Sequence, residues 1–586
     1  MNEVLLQGIP ASPGIRIGKV CVLGREDFSV PKYSITKEQI PLEVSRFEDA
    51  LIQTRREILD LQAQVAKGMG TGHAEIFDAH LLVLEDRMLI EEVISQVKKK
   101  ELGIDFVFSE VLKKYAEVFS KMEDEYLKER ISDINDVGRR ILKHLLGKNQ
   151  TKRELSQLKE PTIVVAHDLS PSDTASMFKK NIIGFITDVG GKTSHTAIMA
   201  KSLEIPAVIG LETATLQIHE NEVVILDGNE GKVIVRPKQE TLNKYQRKLE
   251  KIKELQKAYE SMRGLPSVTV DGKSVHLAAN IEFPEEIELV KEHNIGGIGL
   301  YRTEFFYMNR KDLPSENEQF EAYKYVAEQM KPYTVTIRTL DLGGDKFISQ
   351  LQIPHEMKPF LGWRAIRFCL AQPAIFKAQL RAILRASAYG NLRIMYPMIS
   401  GVEELRRANQ VLEECKKELR SNKIAFNDKI PVGVMIEVPS AALTADILSR
   451  EADFFSIGTN DLIQYALAVD RTDEKVAYLY DPAHPAVLRL LKSIVDAAHK
   501  ENIPVGMCGE MSGDPLFTML LIGLDLDELS MSASVTARIK QIIRTVATKQ
   551  AKETLGQALD LSSGREVEKL MSERLHGILP KFYPKG

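Results

Sequence analysis

Cysteine is scarce: Cys21, Cys369, Cys415 and Cys508 are the four in 586 residues, and no two stand at CxxC spacing. That pattern builds neither a zinc cage nor a disulfide framework, and it suits a reducing compartment. A basic excess is missing too, since 78 Lys and Arg stand against 82 Asp and Glu, for a net charge of -4. Such a chain has no overall attraction for nucleic acid or for an acidic membrane surface, so any anion site has to be local. Also absent is an uncharged apolar run of about 18 residues, the length a spanning helix needs. The opening residues, MNEVLLQGIPASPG, contain an early acid and no basic segment leading into an apolar stretch. No signal peptide is expected from them, and the expected compartment is the cytoplasm, without membrane insertion.

The remaining composition is ordinary, with 44% hydrophobic and 27% charged residues. A chain of this length exceeds what one core can organise, and roughly two to four domains are expected. Three textures follow one another. Residues 1–30 are strand-like, with IRIGKVCVL set among Gly and Pro. From Lys37 to Gly147 long charged stretches carry apolar residues at helical spacing, as in the stripe Phe47, Leu51, Ile58, Leu61 and Val65. Few Gly or Pro interrupt them, so a helical bundle is expected. After Pro161 the strand texture returns in TIVVA, IIGFIT, PAVIG and EVVILDG. A strand segment on each side of the helices predicts one α/β domain with the bundle inserted into it. The charged run from Lys238 to Met262 reads as a solvated linking helix.

From about residue 265 eight apolar runs alternate with helical intervals: VHLAANIE, GIGLYRTE, VTIRTLD, LRIMYPM, VGVMIEV, FFSIGTND, PVGMCGE and ELSMS. Eight buried strands separated by helices predict a (β/α)8 barrel. Most of these runs finish in polar groups, namely Glu282, Arg302, Glu304, Arg338, Asp341, Glu437, Asn460, Asp461, Cys508 and Glu510. The ends of barrel strands line the catalytic face, so these residues form the candidate site.

Arg302 and Arg338 at strand ends, Arg471 just beyond one, and Arg364 in PFLGWRAIR would converge on a polyanion, because the guanidinium fork binds phosphate and carboxylate and stays charged. Glu437 and Asp461 match a Mg²⁺ site, which wants hard oxygen ligands and keeps room for substrate phosphate; ion pairing with the arginines is the plainer reading. Asn460 adds an amide donor. Cys508 is by default a small buried thiol; at a catalytic mouth it is a candidate proton donor, nucleophile or redox group. Arginines and a metal beside it would favour the thiolate.

In the first half, FITDVGGKTSHTAIMAKSLEIPAVIG reads as strand, Gly-rich turn and helix. His195 falls at the first turn of that helix, with Thr193 and Ser194 as cap candidates. A phosphate held there would be stabilised by free N–H groups and the helix dipole.

GGKTSHTAIMAKSLEIPAVIG resembles the phosphohistidine signature of the phosphoenolpyruvate-utilising enzymes. GLYRTEFFY, IRTLDLGGDK, PFLGWRAIR, MIEVP, FFSIGTNDLIQY, the DR at 470–471, YDPAHPAV and GMCGE resemble the barrel motifs of the same family, in its order. AEIFDAHLLVLED and DINDVGRRIL resemble the carrier-docking insertion of the branch that feeds the bacterial sugar phosphotransferase system. Lys192 and Lys201 stand where the family often has Arg, which keeps the charge.

The resemblance implies a multidomain α/β chain. A swivelling phosphohistidine domain would span 1–35 and 148–235, an inserted helical domain 36–147, a helical linker 236–262 and a (β/α)8 TIM-type barrel 263–586. It implies that His195 receives the phosphoryl group of phosphoenolpyruvate and passes it to a small histidine-containing phosphocarrier protein. Arg302, Arg338 and Arg471 would hold the substrate, Glu437 and Asp461 the Mg²⁺, and Asn460 with Asp461 would contact substrate. Cys508 would protonate the enolate to pyruvate. Arg364, Thr193 and Glu510 are further candidates, and a homodimer through the barrel is implied. Relatives that phosphorylate pyruvate with ATP carry a large nucleotide-grasping domain ahead of the phosphohistidine, whereas the segment before His195 reads as helical without a Gly-rich nucleotide loop. A phosphoenolpyruvate-sensing phosphoprotein and a plain barrel lyase are the other readings.

Overall fold

The computed structural model describes residues 3–23, 30–69, 76–120, 125–147, 160–169, 181–190, 200, 205–307, 312–342, 361–471, 473, 475–580 and 582–583. The chain divides into two compact units, Met1–Ile252 and Lys253–Gly586.

Unit 1 is built on one eight-stranded sheet of β1 (Val4–Gln7), β2 (Ile9–Ser12), β3 (Ile15–Leu23), β4 (Thr162–Ala166), β5 (Ile182–Thr187), β6 (Ala207–Ile209), β7 (Val223–Asp227) and β8 (Lys232–Val235). The order is β1-β8-β7-β3-β4-β5-β6-β2, with β3 to β6 parallel neighbours and antiparallel strands on either side. TIVVA shows why β4 is central. Ile163 and Val165 enter one core, Val164 and Ala166 another, so both faces are covered and the strand is apolar throughout. β1, β2 and β8 had no counterpart among the expected strands; they are four residues each, too short for an alternation to register.

Between β3 and β4 the chain leaves the sheet and forms α1 (Ile40–Met69), α2 (Ile76–Leu84), α3 (Arg87–Lys100), α4 (Ile104–Ser120) and α5 (Glu125–Leu145). β3 and β4 nevertheless pair in register, Lys19 with Thr162 through Leu23 with Ala166, so the helices are an insertion into a continuous sheet. They enclose their own core, in which Phe47 and Ile58 of the expected stripe are fully buried and Leu51 and Leu61 pack at its edge. α3 starts at Asp86, whose carboxylate accepts from the N–H groups of Met88 and Leu89.

Helix α6 (Gln239–Met262) covers the charged run that was read as helical. The division between the units falls inside it. Tyr245 near its start packs with Ile15, Ile225 and Ile234 of unit 1, while Tyr259 near its end meets the Phe582 ring of unit 2 at 6.1 Å.

Unit 2 is a closed parallel barrel of β9 (His276–Ile281), β10 (Gly297–Tyr301), β11 (Thr334–Arg338), β12 (Asn391–Tyr396), β13 (Val432–Ile436), β14 (Phe454–Ile457), β15 (Val505–Met507) and β16 (Glu528–Met531). These are the eight runs expected from the sequence. One detail differs: β14 stops at Ile457, and Asn460 and Asp461 lie in the first turn of the helix Thr459–Leu467. Gly458 ends the strand and caps that helix, so the polar pair is presented from a helix N-terminus rather than from a strand.

Candidate active site at the barrel mouth

The polar residues that follow the barrel strands share its C-terminal end, where the alternation of each strand decides what faces inward. Along β14, Phe454 joins the interior cluster of Leu300, Met395, Met435 and Cys508, while Phe455 and Ile457 join the core beneath the helices. The same two-residue period puts Arg338, Glu437 and Cys508 at the upper rim of the interior.

Asp341 is the hub. Its Oδ2 pairs with Arg338 Nη1 at 2.9 Å, and its Oδ1 accepts from Arg364 Nη2 at 2.7 Å and Nε at 3.2 Å. Arg364 also reaches Asp461 at 3.6 Å, and Arg338 pairs with Glu304. Glu437 is 2% exposed. Its Oε1 accepts from the Met398 N–H at 2.6 Å, a donor presented by a left-handed backbone at φ 57°. A second group lies alongside. Arg471 Nη1 is 3.1 Å from Glu510 Oε1, and the Glu510 N–H donates to Asn460 Oδ1 at 2.9 Å. Arg302 pairs with Glu282 at 2.5 Å.

The electrostatics follow from burial and crowding. Burial pushes the Glu437 carboxyl well up, and the facing carboxylates of Asp461 and Asp341 add to it against the pull of Arg338 and Arg364. Asp461 is raised for the same first reason, against Arg364. Burial also raises Glu304, against Arg338. Burial alone would lower the two inner arginines. The acids around them outweigh it, and both guanidinium groups are held above their usual value. Among the described residues the four arginines thus face six acids, Glu282, Glu304, Asp341, Glu437, Asp461 and Glu510. Arg338 Nε and Thr459 Oγ1 are buried with no hydrogen-bond partner among the described residues, so donors remain for a bound molecule.

Arginines and a metal beside Cys508 were expected to favour the thiolate; the protein's own groups, without a metal cation, act the other way. Cys508 is 3% exposed, and burial pushes the thiol up to about 11 despite the Ser456 hydroxyl and Arg338 pulling the other way. A desolvated thiolate is costlier than those cations can offset.

Arg302, Arg338, Arg364, Arg471, Glu437, Asn460, Asp461, Cys508 and Glu510 therefore meet at one end of one barrel. His195 and Thr193 lie outside the described residues. Asp341 and Glu304 received no role from the sequence although both follow strands; the signal was their position among the strand-end polar groups. Among the described residues no three His, Cys, Asp or Glu side chains form a ready metal cage, and no helix is long and apolar enough to cross a membrane.

Three family descriptions match the chain in succession: "PEP-utilising enzyme, N-terminal" over residues 7–130, "mobile domain" over 158–231 and "PEP-binding domain" over 256–548. The phosphoenolpyruvate-protein phosphotransferase of Priestia megaterium is 45% identical over 97% of this chain and 99% of its own length. That of Listeria innocua is 46% identical, and that of Bacillus subtilis 45%, each over 97% of this chain and 99% of its own. With full-length identity of this order and all three regions matched in order, the chain belongs to the phosphoenolpyruvate-utilising enzymes, in the branch of the phosphoenolpyruvate-protein phosphotransferases.

Proposed function

We propose that this chain moves the phosphoryl group of phosphoenolpyruvate to its own His195 and then to the histidine of a small phosphocarrier protein, releasing pyruvate, as enzyme I of a sugar phosphotransferase system. The observation that carries the reading is the meeting of Arg338, Arg364, Glu437, Asp461 and Cys508 at one barrel mouth. Phosphoryl transfer asks a protein mainly for positioning and charge neutralisation. Arg302, Arg338 and Arg471 take the phosphate and carboxylate of the substrate, Asn460 and Asp461 contact it, and Arg364 orients Asp341 and Asp461. Neutral His195 attacks in line. Cys508, kept as a thiol by burial, gives its proton to the enolate carbon.

Mg²⁺ fits the donor set. Glu437 and Asp461 offer hard oxygens whose ionised forms burial and mutual repulsion disfavour, and a divalent cation removes that repulsion. Two carboxylates with substrate oxygens are a usual Mg²⁺ shell. When bound, the ion acts as a Lewis acid on phosphoryl oxygens.

His195 belongs to the chain of unit 1 and the mouth to unit 2, so the reading requires the phosphohistidine domain, residues 1–35 and 148–235, to swing between barrel and carrier. The inserted helices of 36–147 supply the carrier's docking surface, 236–262 the link and 263–586 the barrel. The enzyme works in the cytoplasm as a homodimer through the barrel, a reading supported by Leu443 and Tyr478, which unit 2 leaves 72% and 80% exposed.

Labelled phosphoenolpyruvate with Mg²⁺ should leave an acid-labile, base-stable label on His195 that is chased to added carrier. Pyruvate release without any label would reject the reading in favour of a lyase.

A further inference from the structure

Three neighbouring strands are tied together at Cys508. β15 ends at Met507, so Cys508 stands just beyond its strand. β16 lies beside β15, and β9 lies beside β16. Asn280, half-buried near the end of β9, reaches past β16 to the Cys508 main chain, where its Nδ2 donates to the Cys508 carbonyl at 3.0 Å. β16 sets the direction of that amide, because Asn280 Oδ1 accepts from the Ser530 hydroxyl at 2.6 Å. With a hydroxyl donor on one end and a carbonyl acceptor on the other, only one orientation of the amide satisfies both. The Ser512 hydroxyl closes the tie, 2.5 Å from the Ser530 carbonyl oxygen and 2.6 Å from that of Gly509, the residue after Cys508.

β14 holds the other side. The Cys508 N–H donates to the Ile457 carbonyl at 3.1 Å, and Sγ lies 3.8 Å from the same oxygen. The Cys508 side chain packs with Leu300, Met395, Met435 and Phe454. A cysteine has one side-chain torsion with three staggered wells, so a main chain that moves carries its sulfur with it. The aim of the thiol is therefore set by what fixes the peptide units on either side of it, and Asn280 is the side chain that fixes the carbonyl side.

We propose that Asn280 is a positioning residue for proton delivery, tying the Cys508 main chain to β9 so that the thiol stays aimed at the enolate carbon. The inference rests on the reading of Cys508 as proton donor to the enolate. In that step the S–H bond breaks and its proton goes to carbon. The enolate π pair becomes the new C–H bond, and the S–H pair stays on sulfur as thiolate. Solvent water returns a proton to the sulfur after pyruvate departs. Asn280 exchanges no proton and acts through the Cys508 main chain alone.

The step can be read without phosphoryl transfer by incubating the full chain with pyruvate and Mg²⁺ in D₂O and following methyl deuteration by NMR. Misplacing a reacting group by about 1 Å can cost on the order of a hundred-fold in rate. N280A should slow exchange by about ten- to a hundred-fold, with the rate of His195 labelling at saturating phosphoenolpyruvate changed little. S530A keeps the Asn280 donor and removes the hydroxyl that orients it. It should fall between wild type and N280A, and it decides the matter if N280A does not fold. Exchange and labelling lost in parallel would mean a general disturbance of the mouth and overturns the positioning role. Wild-type exchange in N280A, or in S530A where N280A does not fold, with exchange abolished in C508A, overturns the role of Asn280 and leaves Cys508 as donor. Wild-type exchange in C508A overturns the donor assignment itself.

Discussion

Gly458 tests whether Glu437 has to sit where it does. Its backbone is at φ -89°, ψ 78°, which alanine adopts, so Gly458→Ala adds volume without backbone strain. The new methyl would stand 2.8 Å from Glu437 Oε2, 3.1 Å from Glu437 Cβ and 3.2 Å from Met435 Cγ. The last two contacts ask for a shift of tenths of an ångström, whereas the first asks the carboxylate to move. If the surroundings resist, overpacking costs roughly 1–3 kcal/mol of stability. If the carboxylate yields, it turns off the 2.6 Å bond from Met398 N–H and away from the direction shared with Asp461. Displacements of this kind around a metal ligand weaken metal binding by about 10- to 100-fold. We expect the second outcome, because a carboxylate end moves more easily than two packed strands. Pyruvate release followed against Mg²⁺ concentration should show the half-saturating concentration raised about ten-fold or more, with the maximal rate largely recovered at high Mg²⁺. An unchanged Mg²⁺ dependence, with the melting temperature also unchanged, would refute the placement of Glu437 as a ligand.

His195→Ala should take no label from phosphoenolpyruvate, while pyruvate methyl exchange in the barrel persists, as peptide mapping and NMR would show. Glu437 must lose its proton to bind a cation, and its folded carboxyl is raised well above 4.5; apparent Mg²⁺ affinity should therefore fall on acidification well before an ordinary carboxylate titrates, measurable as a pH-dependent half-saturation. Cys508 must keep its proton to donate it, and its thiol is pushed up to about 11, so the alkaline loss of pyruvate formation assigned to this group should come above pH 9 and vanish from the residual profile of C508A. Phe47→Ala removes a fully buried ring from the core of the inserted helices and should cost about 3–5 kcal/mol there; calorimetry should show an early transition while exchange at the barrel continues.

The sequence by itself determined the elements wherever a residue's chemistry and its period pointed the same way. Runs such as VGVMIEV and FFSIGTND have apolar bodies because both faces of a barrel strand are covered, and polar ends because the chain there meets solvent or ligand. That is why eight strands, the inserted helices and most of the arginine and acid set were legible. β1, β2 and β8 were not, because four residues carry too little pattern, and neither was the shift of Asn460 and Asp461 from strand to helix, since Gly458 is compatible with either.

Only the tertiary structure decided which charges meet. Asp341 became the link between Arg338 and Arg364 because β11 and the segment leading into Ala365 approach from different parts of the chain. The state of Cys508 turned on a competition between burial and nearby cations, whose outcome depends on distance and solvent exclusion rather than on residue types. Local pattern fixes what each segment is, and through-space proximity, set by closure of the barrel, fixes what its polar groups do.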